Sequence, residues 1–371
     1  MYRVLRSLLF LIPPEPAHTL VMGLLEILSQ FVGVCAAIRR YVLGGVDAPK
    51  AGKRRLGRSV DLTSELSGLI LAHPVGLAAG LDKNGEALHA LFGCGFSAVE
   101  VGTVTPRAQP GNPKPRMFRL PEQRGLINRM GFNNAGTVAL RDAVSRQPWR
   151  PGPLGINIGK NKDTPLDEAI SDFVACVEAV GALGDYVVVN ASSPNTPGLR
   201  ALQEPEQLHA LLSAVQSRMH TAAPGRPLFL KFAPDLGDEA IDALVDVATS
   251  CQVAGLIATN TTVSRPVAHR FSTEAGGLSG APLRASSTRA LKRAAGRARG
   301  RLSLVGVGGV MSAEDVYEKL RSGASLVQVY TGFIYEGPFW LRRLLPELER
   351  ILKRDGHTSV REVIGLDVVK R

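Results

Sequence analysis

The feature that most constrains the fold is an eightfold alternation of short apolar runs with helix-like segments, beginning near residue 75. Short apolar runs bounded by turn residues are typical of buried parallel strands. Eight runs fit this description, at residues 75–79, 98–103, 154–158, 186–189, 228–232, 255–259, 302–307 and 326–330. Helix-like patterns fill most of the gaps, at 167–183, 205–219, 238–253, 313–322 and, last, 338–352. The alternation predicts an α/β chain folded as a closed (β/α)8 TIM barrel rather than a doubly wound sheet.

The chain is long enough for this fold and a small extension. It has 371 residues, of which 45% are hydrophobic, so it can bury a sizeable core. A length prior of about 150 residues per domain suggests two domains, but a barrel absorbs about 250 residues or more as one. Just before the first unit, residues 60–62 and 68–71 are two further apolar runs, which predict an antiparallel hairpin.

Polar residues and glycines follow the predicted strands, at the end where barrel enzymes build their active sites. The densest group follows the fourth strand, where residues 190–198 combine two asparagines, two serines and two prolines. Taken alone, this stretch is equally typical of a turn without chemistry. The other strand ends carry Lys83, Thr103, Asn157, Lys231, Thr259, Asn260, Thr261, Tyr330 and Thr331. Glycines after the seventh and eighth strands lie where barrels bind phosphate through backbone N–H groups, so the set predicts a phosphorylated cofactor beside a small, planar, polar substrate.

Several other kinds of site are disfavoured. No strand is followed by GxGxxG and a helix, which argues against a nicotinamide domain. Four cysteines lie far apart without CxxC spacing, which argues against a zinc knuckle or an iron–sulfur cluster and fits a reducing compartment. No cluster of His, Asp and Glu has metal-ligand spacing, so no metal site is predicted. A lysine such as Lys231 beside the pyrimidine edge of a flavin would stabilise the negative charge of the reduced ring.

Residues 1–40 differ from the rest of the chain. A short apolar run at 8–12 is followed by prolines at 13, 14 and 16, and a second apolar segment extends over 19–38. A signal peptide is disfavoured because no small-residue cleavage site follows the first run. The second segment has the length of about 20 residues that a membrane span needs, but Glu26 would then lie in lipid. We predict two short helices at the membrane interface, joined at the prolines, with a true span and ordinary core packing as the alternatives.

Charge supports proximity to an anionic membrane. The formal net charge is +11, which favours an anionic partner but does not choose among a membrane, nucleic acid and an anionic ligand. Five basic residues follow the N-terminal segment, namely Lys50, Lys53, Arg54, Arg55 and Arg58. Each basic residue near an anionic leaflet contributes about 1 kcal/mol, although such a run is also common in a solvated linker.

The motifs identify a family. They are GLAAGLDKNG at 76–85, NRMGFNN at 128–134, NIGKN at 157–161, the stretch 190–200, KFAPDL at 231–236, TNTT at 259–262, GGLSG at 276–280 and GVGG at 306–309. With these motifs the chain resembles the dihydroorotate dehydrogenases of class 2, which are membrane-associated and quinone-dependent. The resemblance covers nearly the whole barrel, and the two N-terminal helices are similar to the membrane extension of that class.

The resemblance implies an activity and a mechanism. The expected reaction is the oxidation of (S)-dihydroorotate to orotate in de novo pyrimidine biosynthesis, with one FMN per chain and a membrane quinone as the electron acceptor. A base takes a proton from C5 while a hydride moves from C6 to the flavin. That base is implied to be Ser193, whereas the fumarate- or NAD-linked class has cysteine there. A serine hydroxyl is a poor base unless its proton can leave, so a water or Thr196 would relay it.

The resemblance also assigns the binding residues. Substrate contacts are implied for Lys83, Asn128, Arg129, Met130, Gly131, Phe132, Asn195, Asn260 and Thr261. FMN contacts are implied for Ala79, Gly80, Lys83, Thr103, Asn157, Asn190, Lys231, Thr259, Gly280, Gly309, Tyr330 and Thr331. His18 and Arg119 match quinone-side residues, although a histidine at position 18 is also compatible with an exposed or helix-capping position.

The predictions also cover domain organisation, oligomeric state and location. Residues 1–45 would form a membrane-associating segment with a quinone tunnel, and residues 46–371 the FMN-binding barrel. The protein would be a monomer on the cytoplasmic face of a bacterial cell membrane, with no nucleic-acid partner. Two rivals remain. One is a soluble FMN-dependent dehydrogenase of the same superfamily that acts on another pyrimidine, and the other is a basic barrel that only binds anionic lipid or nucleic acid.

Overall fold

A closed barrel of eight parallel strands forms the centre of the computed structural model, which describes residues 2–44, 60–268 and 270–368. The barrel strands are Val75–Leu77, Val99–Val104, Leu154–Ile158, Tyr186–Asn190, Leu228–Phe232, Gly255–Ala258, Ser303–Val307 and Leu326–Val329. Each pairs with the next along the chain, and pairing of Val327 with Val75 closes the ring. The predicted (β/α)8 class and all eight predicted strands are confirmed, with ends that differ by no more than two residues.

Helices surround the barrel and separate its strands. They are Leu88–Gly93, Gly136–Ser145, Ala169–Val180, Pro205–Ala222, Asp238–Ser250, Arg284–Ala298, Ala313–Arg321, Thr331–Glu336 and Leu341–Arg354. Their starts follow local chemistry: Pro205 occupies the first turn of its helix, and the Ser312 hydroxyl accepts a hydrogen bond from the backbone N–H of Asp315. The main core lies between these helices and the outer face of the strands, and a smaller core that includes Tyr186 and Phe229 fills the barrel.

A second, antiparallel sheet covers part of the barrel mouth. Its strands are Gly277–Gly280, Gly125–Asn128 and Met117–Leu120, in that spatial order. They come from the segments after the second and sixth barrel strands, and the sequence patterns did not predict them as strands. The pairing brings Asn128 opposite Gly277 and so places both segments over the carboxyl ends of the barrel strands.

The predicted hairpin before the barrel is wrong in its first arm. Ser64–Leu66, and not 60–62, pairs with Leu69–Leu71. The turn residues Ser67 and Gly68 both have positive φ, as a two-residue hairpin turn requires, and this short turn sets the register. Asp61 instead bonds the backbone of Thr358 and Val360 near the C-terminus.

Three helices precede the barrel: α1 (Tyr2–Leu11), α2 (Pro14–Ser29) and α3 (Val32–Val42). The predicted break at the prolines is confirmed, but the predicted continuous segment 19–38 is wrong, because Phe31 leaves the helical conformation and bends α3 by 107° from α2. Within the described residues no single helix is long and apolar enough to cross a membrane, although the bent pair meets the requirement by length and composition. The basic residues Lys50, Lys53, Arg54, Arg55 and Arg58 lie outside the described residues.

Candidate active site

A cavity that is partly open to solvent lies at the carboxyl ends of the barrel strands. The antiparallel sheet and the loops after the strands form its walls. The predicted site residues that line it are Ala79, Gly80, Lys83, Thr103, Asn128, Met130, Gly131, Phe132, Asn190, Ser193, Asn195, Lys231, Thr259, Asn260, Thr261, Gly280, Gly309, Tyr330 and Thr331. The fold therefore brings together side chains from seven of the eight strand ends and from the covering sheet.

The glycines after the seventh strand form one corner of the cavity. Gly308 and Gly309 both have positive φ, at 108° and 78°. A Cβ on Gly309 would lie 2.2 Å from the Cα of Arg284, and one on Gly308 would lie 3.0 Å from the Cβ of Ser287. Only glycine fits here, and the turn leaves its backbone open toward the cavity. Such a cradle suits a phosphate group.

A buried polar network forms the floor. The Thr103 hydroxyl donates to Asn157 Oδ1 at 2.5 Å, and Asn190 Nδ2 donates to Thr103 Oγ1 at 2.9 Å. Asn157 Nδ2 in turn donates to the buried carboxylate of Glu100 at 2.8 Å. Asn157 does not line the cavity itself but holds Thr103 and Asn190, which do.

Lys231 projects into the cavity above this floor. Burial lowers the pKa of its ammonium group, and the negative charge of Glu100 opposes that shift. Within the described part of the chain, no group accepts a hydrogen bond from Lys231 Nζ. A buried cation that faces a cavity without a partner is suited to bind a negatively charged or electron-rich ligand atom.

The loop after the fourth strand places Ser193 at the edge of the cavity. The Ser193 side chain is buried, and its Oγ accepts a hydrogen bond from the Asn195 backbone N–H at 3.2 Å. Asn195 Nδ2 reaches Asn128 Oδ1 at 3.4 Å, and Asn260 Nδ2 donates to Asn190 Oδ1 at 3.2 Å. Amide groups from three separate segments thus converge beside the serine hydroxyl.

Arg200 braces this loop, and the sequence interpretation assigned it no role. Its Nε donates to the Ser192 carbonyl at 3.1 Å, its Nη2 to the Thr261 carbonyl at 3.2 Å, and its Nη1 to Asp235 at 2.8 Å. Asp235 also accepts a hydrogen bond from the Thr262 hydroxyl. The guanidinium therefore ties together the loops after the fourth, fifth and sixth strands. The one sequence signal for this role is that Arg200 belongs to the 190–200 motif.

Lys83 lies in a loop shaped by its neighbour. The buried Asp82 carboxylate accepts the backbone N–H groups of Glu86 and Ala87, at 3.0 and 2.8 Å, which curls the chain after the first strand. Burial lowers the pKa of Lys83 to about 8, and the charge of Arg116 contributes to the shift. This lysine lines the cavity.

Arg129 is placed differently from the other predicted substrate residues. Its guanidinium pairs with Glu274 at 2.5 Å and lies 4.7 Å from the ring centre of Phe118, and it does not line the cavity. Residues outside the motifs also contribute to the wall, among them Met117, Leu126, Leu283, Met311 and Gln328. Within the described residues, no group of His, Cys, Asp and Glu could hold a metal ion.

A second cavity, also partly open to solvent, lies between α2 and the barrel. His18 lines it, together with Met22 and Glu26 of the same helix. Burial, together with the positive charge of Lys83, lowers the pKa of His18 to about 3, so its imidazole is neutral at physiological pH. Lys83 and Met130 line both cavities. His18 is therefore partly buried at a cavity wall rather than on the free surface.

Arg119 lies at the junction of α1 and α2. Its Nη1 donates to the carbonyl oxygens of Ile12 at 2.6 Å and Phe10 at 3.3 Å, and its guanidinium is 4.6 Å from the ring centre of Phe10. It does not line either of the two cavities. Nearby, Arg116 and Glu15 form a second tie at 2.8 Å between the covering sheet and the start of α2.

Comparisons with known proteins agree on one family. The family model described as dihydroorotate dehydrogenase matches residues 61–352. A Myxococcus xanthus protein named dihydroorotate dehydrogenase (quinone) is 59% identical, with 99% of this chain and 98% of that protein covered. A protein of the same name from Anaeromyxobacter dehalogenans is 48% identical, with coverage of 99% and 97%. The crystal structure of an Eimeria tenella DHODH in complex with ferulenol is similar with a TM-score of 0.82, at 38% identity and 95% coverage of both chains.

Proposed function

Since the chain belongs to the dihydroorotate dehydrogenase family, and so oxidises dihydroorotate to orotate in pyrimidine biosynthesis with a quinone as acceptor, we propose that it uses FMN bound at the barrel mouth and Ser193 as the base. One observation carries this proposal: a glycine cradle, a buried cation without a partner and a serine in an amide-rich loop line one cavity. Neither rival explains that combination, and the relatives named for quinone disfavour a soluble dehydrogenase acting on another pyrimidine.

The cavity residues fit FMN. The turn at Gly308 and Gly309 would accept the phosphate through its backbone N–H groups, because both glycines line the cavity at the end of the seventh strand. Lys231 would meet the pyrimidine edge of the isoalloxazine ring, where its charge stabilises added electrons. The remaining proposed contacts are Ala79, Gly80, Lys83, Thr103, Asn190, Thr259, Gly280, Tyr330 and Thr331, with Asn157 acting through Thr103.

The substrate would lie between the flavin and the loop that bears Ser193. Amide side chains that donate and accept, as those of Asn128, Asn195 and Asn260 do, match the alternating N–H and C=O groups of a dihydropyrimidine ring. Lys83 supplies a positive charge for the substrate carboxylate. Thr261 and the backbone of 130–132 complete the proposed contacts. For Arg129, we propose a contact through its backbone, since its side chain is engaged with Glu274.

Ser193 is proposed to remove the proton from C5 of dihydroorotate. The hydrogen bond from the Asn195 N–H to Ser193 Oγ stabilises negative charge on that oxygen as its own proton leaves. Since a serine hydroxyl is a weak base, we propose that water or the nearby Thr196 relays the proton onward. FMN, when bound, supplies the acceptor for the hydride from C6.

The N-terminal helices are proposed to serve the quinone. We assign residues 1–45 to a membrane-associating segment and residues 46–371 to the catalytic barrel. α1 to α3 expose apolar side chains, including Leu8, Leu11, Leu24, Ile27 and Phe31, as an interfacial helix would. The second cavity would admit the quinone, with His18 in its wall and Arg119 holding the helix junction. We propose a monomer bound to the anionic cytoplasmic face of a bacterial cell membrane.

An absorbance spectrum of the purified full-length protein tests this proposal. A yellow protein whose flavin band bleaches on anaerobic addition of dihydroorotate is the expected result. The control is the same experiment with Ser193→Ala, which should stay yellow and bleach far more slowly. A yellow protein that does not bleach would contradict the assigned substrate. A colourless protein that cannot be reconstituted with FMN would contradict the cofactor.

A further inference from the structure

Lys319 is a buried lysine outside the catalytic set. It lies on the helix Ala313–Arg321, and its side chain is 0% exposed. Its Nζ donates to Ser287 Oγ at 2.7 Å and to Thr288 Oγ1 at 2.9 Å. Among the described residues, no carboxylate forms an ion pair with it, since the nearby Asp315 and Glu318 both pair with Arg284. Burial lowers the pKa of Lys319 to about 7. The charges of Glu318 and Asp315 oppose this shift without contacting Nζ. A buried ammonium group that lacks an ion pair is costly, and an anion nearby would offset part of that cost.

Hydrogen bonds connect Lys319 to the glycine turn. The Ser287 hydroxyl that accepts from Lys319 donates to the Gly308 carbonyl at 2.9 Å. The Arg284 carbonyl, at 3.1 Å, is a second acceptor for the one hydroxyl proton of Ser287, and with either acceptor a lone pair of Oγ accepts from the lysine. Ser287 also lies against Gly308, whose added Cβ would be 3.0 Å from the Cβ of Ser287. Two hydrogen bonds therefore join the buried ammonium group to the backbone that lines the cavity.

The phosphate corner has no other lysine or arginine side chain in its wall. The described lining residues of the cavity include two such residues, Lys83 and Lys231, which project from the first and fifth strand ends, whereas the glycine turn follows the seventh. The Arg284 guanidinium is occupied by Asp315 and Glu318. A phosphate monoester carries a charge of about −1.5 to −2 at neutral pH. Among the described cations of this corner, Lys319 makes no ion pair with a carboxylate and is joined to the glycine turn by hydrogen bonds through Ser287.

We propose that Lys319 is a positioning residue for the phosphate of bound FMN: through Ser287 it holds the glycine turn in place, and its buried charge favours the phosphorylated flavin over riboflavin. This inference rests on the proposed FMN site. Phosphate and lysine each offset the charge of the other in a low-dielectric region, where attraction across several ångströms is still substantial. The role concerns cofactor selection and not the chemistry of dihydroorotate oxidation.

Comparing FMN with riboflavin tests the proposal, since the two ligands share the ring and differ in the phosphate. Full-length protein freed of flavin is titrated with each ligand, and quenching of flavin fluorescence reports the Kd. For Lys319→Met we expect FMN binding to weaken by about tenfold or more and riboflavin binding to change by less than about threefold. Ser287→Ala, which keeps the charge but breaks the link to Gly308, should weaken FMN binding by a smaller factor and leave riboflavin binding unchanged. Lys353→Met, which removes an exposed lysine from the neighbouring helix Leu341–Arg354, is the matched control and should change neither Kd.

The outcomes separate a phosphate role from a structural one. Equal weakening of both ligands in Lys319→Met, or an unchanged preference for FMN, would overturn the proposal. Thermal unfolding without flavin should show that Lys319→Met is as stable as the parent or more so, because an unpaired buried charge has been removed. Should Lys319→Met fail to fold, Ser287→Ala decides, and an unchanged preference for FMN there counts against the proposal. Parent protein that binds neither flavin would instead refute the FMN assignment itself.

Discussion

The Nε of Arg200 donates a hydrogen bond to the carbonyl oxygen of Ser192, 3.1 Å away, and so holds the backbone directly before Ser193 in place. The same guanidinium holds Thr261 and Asp235 on the two neighbouring loops. Ser193 thus sits on a loop whose position depends on a side chain outside the reacting groups. An error of about 1 Å in the position of a catalytic group can lower a rate by about 100-fold.

Arg200→Ala should slow flavin reduction by dihydroorotate by about 10- to 100-fold while FMN stays bound, because Ser193 loses its support. Stopped-flow measurement of flavin bleaching checks the rate. The isotope effect from deuterium at C5 should rise relative to that at C6, since removal of the C5 proton becomes the harder step. Arg200→Lys should recover part of the rate, and the exposed Arg350→Ala is the control. An equal change in the isotope effects at C5 and C6 would instead indicate that the whole site, and not only the position of Ser193, is disturbed.

Ser193→Ala should lower the rate of flavin reduction by about 100- to 10,000-fold, the usual contribution of a general base. FMN binding should be preserved, because the glycine turn and Lys231 are untouched. The bound-flavin spectrum and anaerobic bleaching measure the two properties on one sample. Ser250→Ala, at an exposed position on the outer helix Asp238–Ser250, should behave as the parent protein. Loss of FMN in the Ser193 variant would contradict the assignment of this loop to the substrate rather than to the cofactor.

Orotate affinity should depend on pH through Lys83. Burial lowers the pKa of this lysine from 10.5 to about 8, so its ammonium group is charged below pH 8 and increasingly neutral above it. If the charge binds the substrate carboxylate, affinity is complete below pH 8 and falls by up to about tenfold per unit above it. Flavin difference spectra during orotate titrations measure the Kd. Lys83→Met should bind weakly with no such dependence, and a parent Kd that is constant across this range would exclude the role.

Removal of residues 2–27 should abolish quinone reduction but retain flavin reduction by dihydroorotate within about tenfold, because Ser193 and Lys231 lie elsewhere. The moderate loss is expected because the covering sheet loses the contacts of Arg116 with Glu15 and of Arg119 with Ile12. The cut must stop at residue 27. Ser29 accepts a hydrogen bond from the Ala90 N–H at 3.0 Å, and the buried Arg39 donates to the carbonyls of Phe92 and Phe96, both at 2.8 Å. A longer deletion would leave those groups unpaired and lower the melting temperature. Quinone turnover that survives the shorter deletion would refute the proposed role of the second cavity.

The local sequence pattern was sufficient to predict the barrel, since each buried strand is a short, continuous apolar run bounded by turn residues and followed by a helix-like segment. It was insufficient where partners are distant in sequence. Gly277–Gly280 carries no strand signal of its own and is held by pairing with Gly125–Asn128, about 150 residues earlier. The hairpin register depends on the turn at Ser67 and Gly68, and apolar runs alone do not reveal it.

For the site, too, local patterns predicted some features and missed those that depend on distant contacts. Motifs placed most lining residues correctly because strand ends of a barrel converge whatever lies between them. Arg200 was overlooked because two of its three partners are backbone carbonyls, which leave no trace in the residue pattern. Lys319 was overlooked because an isolated lysine in a helix is usually exposed, and only the packing shows that it is buried. Phe31, where α3 turns away from α2, is neither a proline nor a glycine, so the residue type gave no signal for the bend.

Lys83 and Met130 face both cavities, so a wall one side chain thick separates the two compartments. One protein can then bind a water-soluble acid and a lipid-soluble oxidant in separate cavities. Electrons can cross such a wall where neither substrate can. With FMN bound as proposed, the barrel mouth and the N-terminal helices would give dihydroorotate and the quinone separate routes to one redox centre.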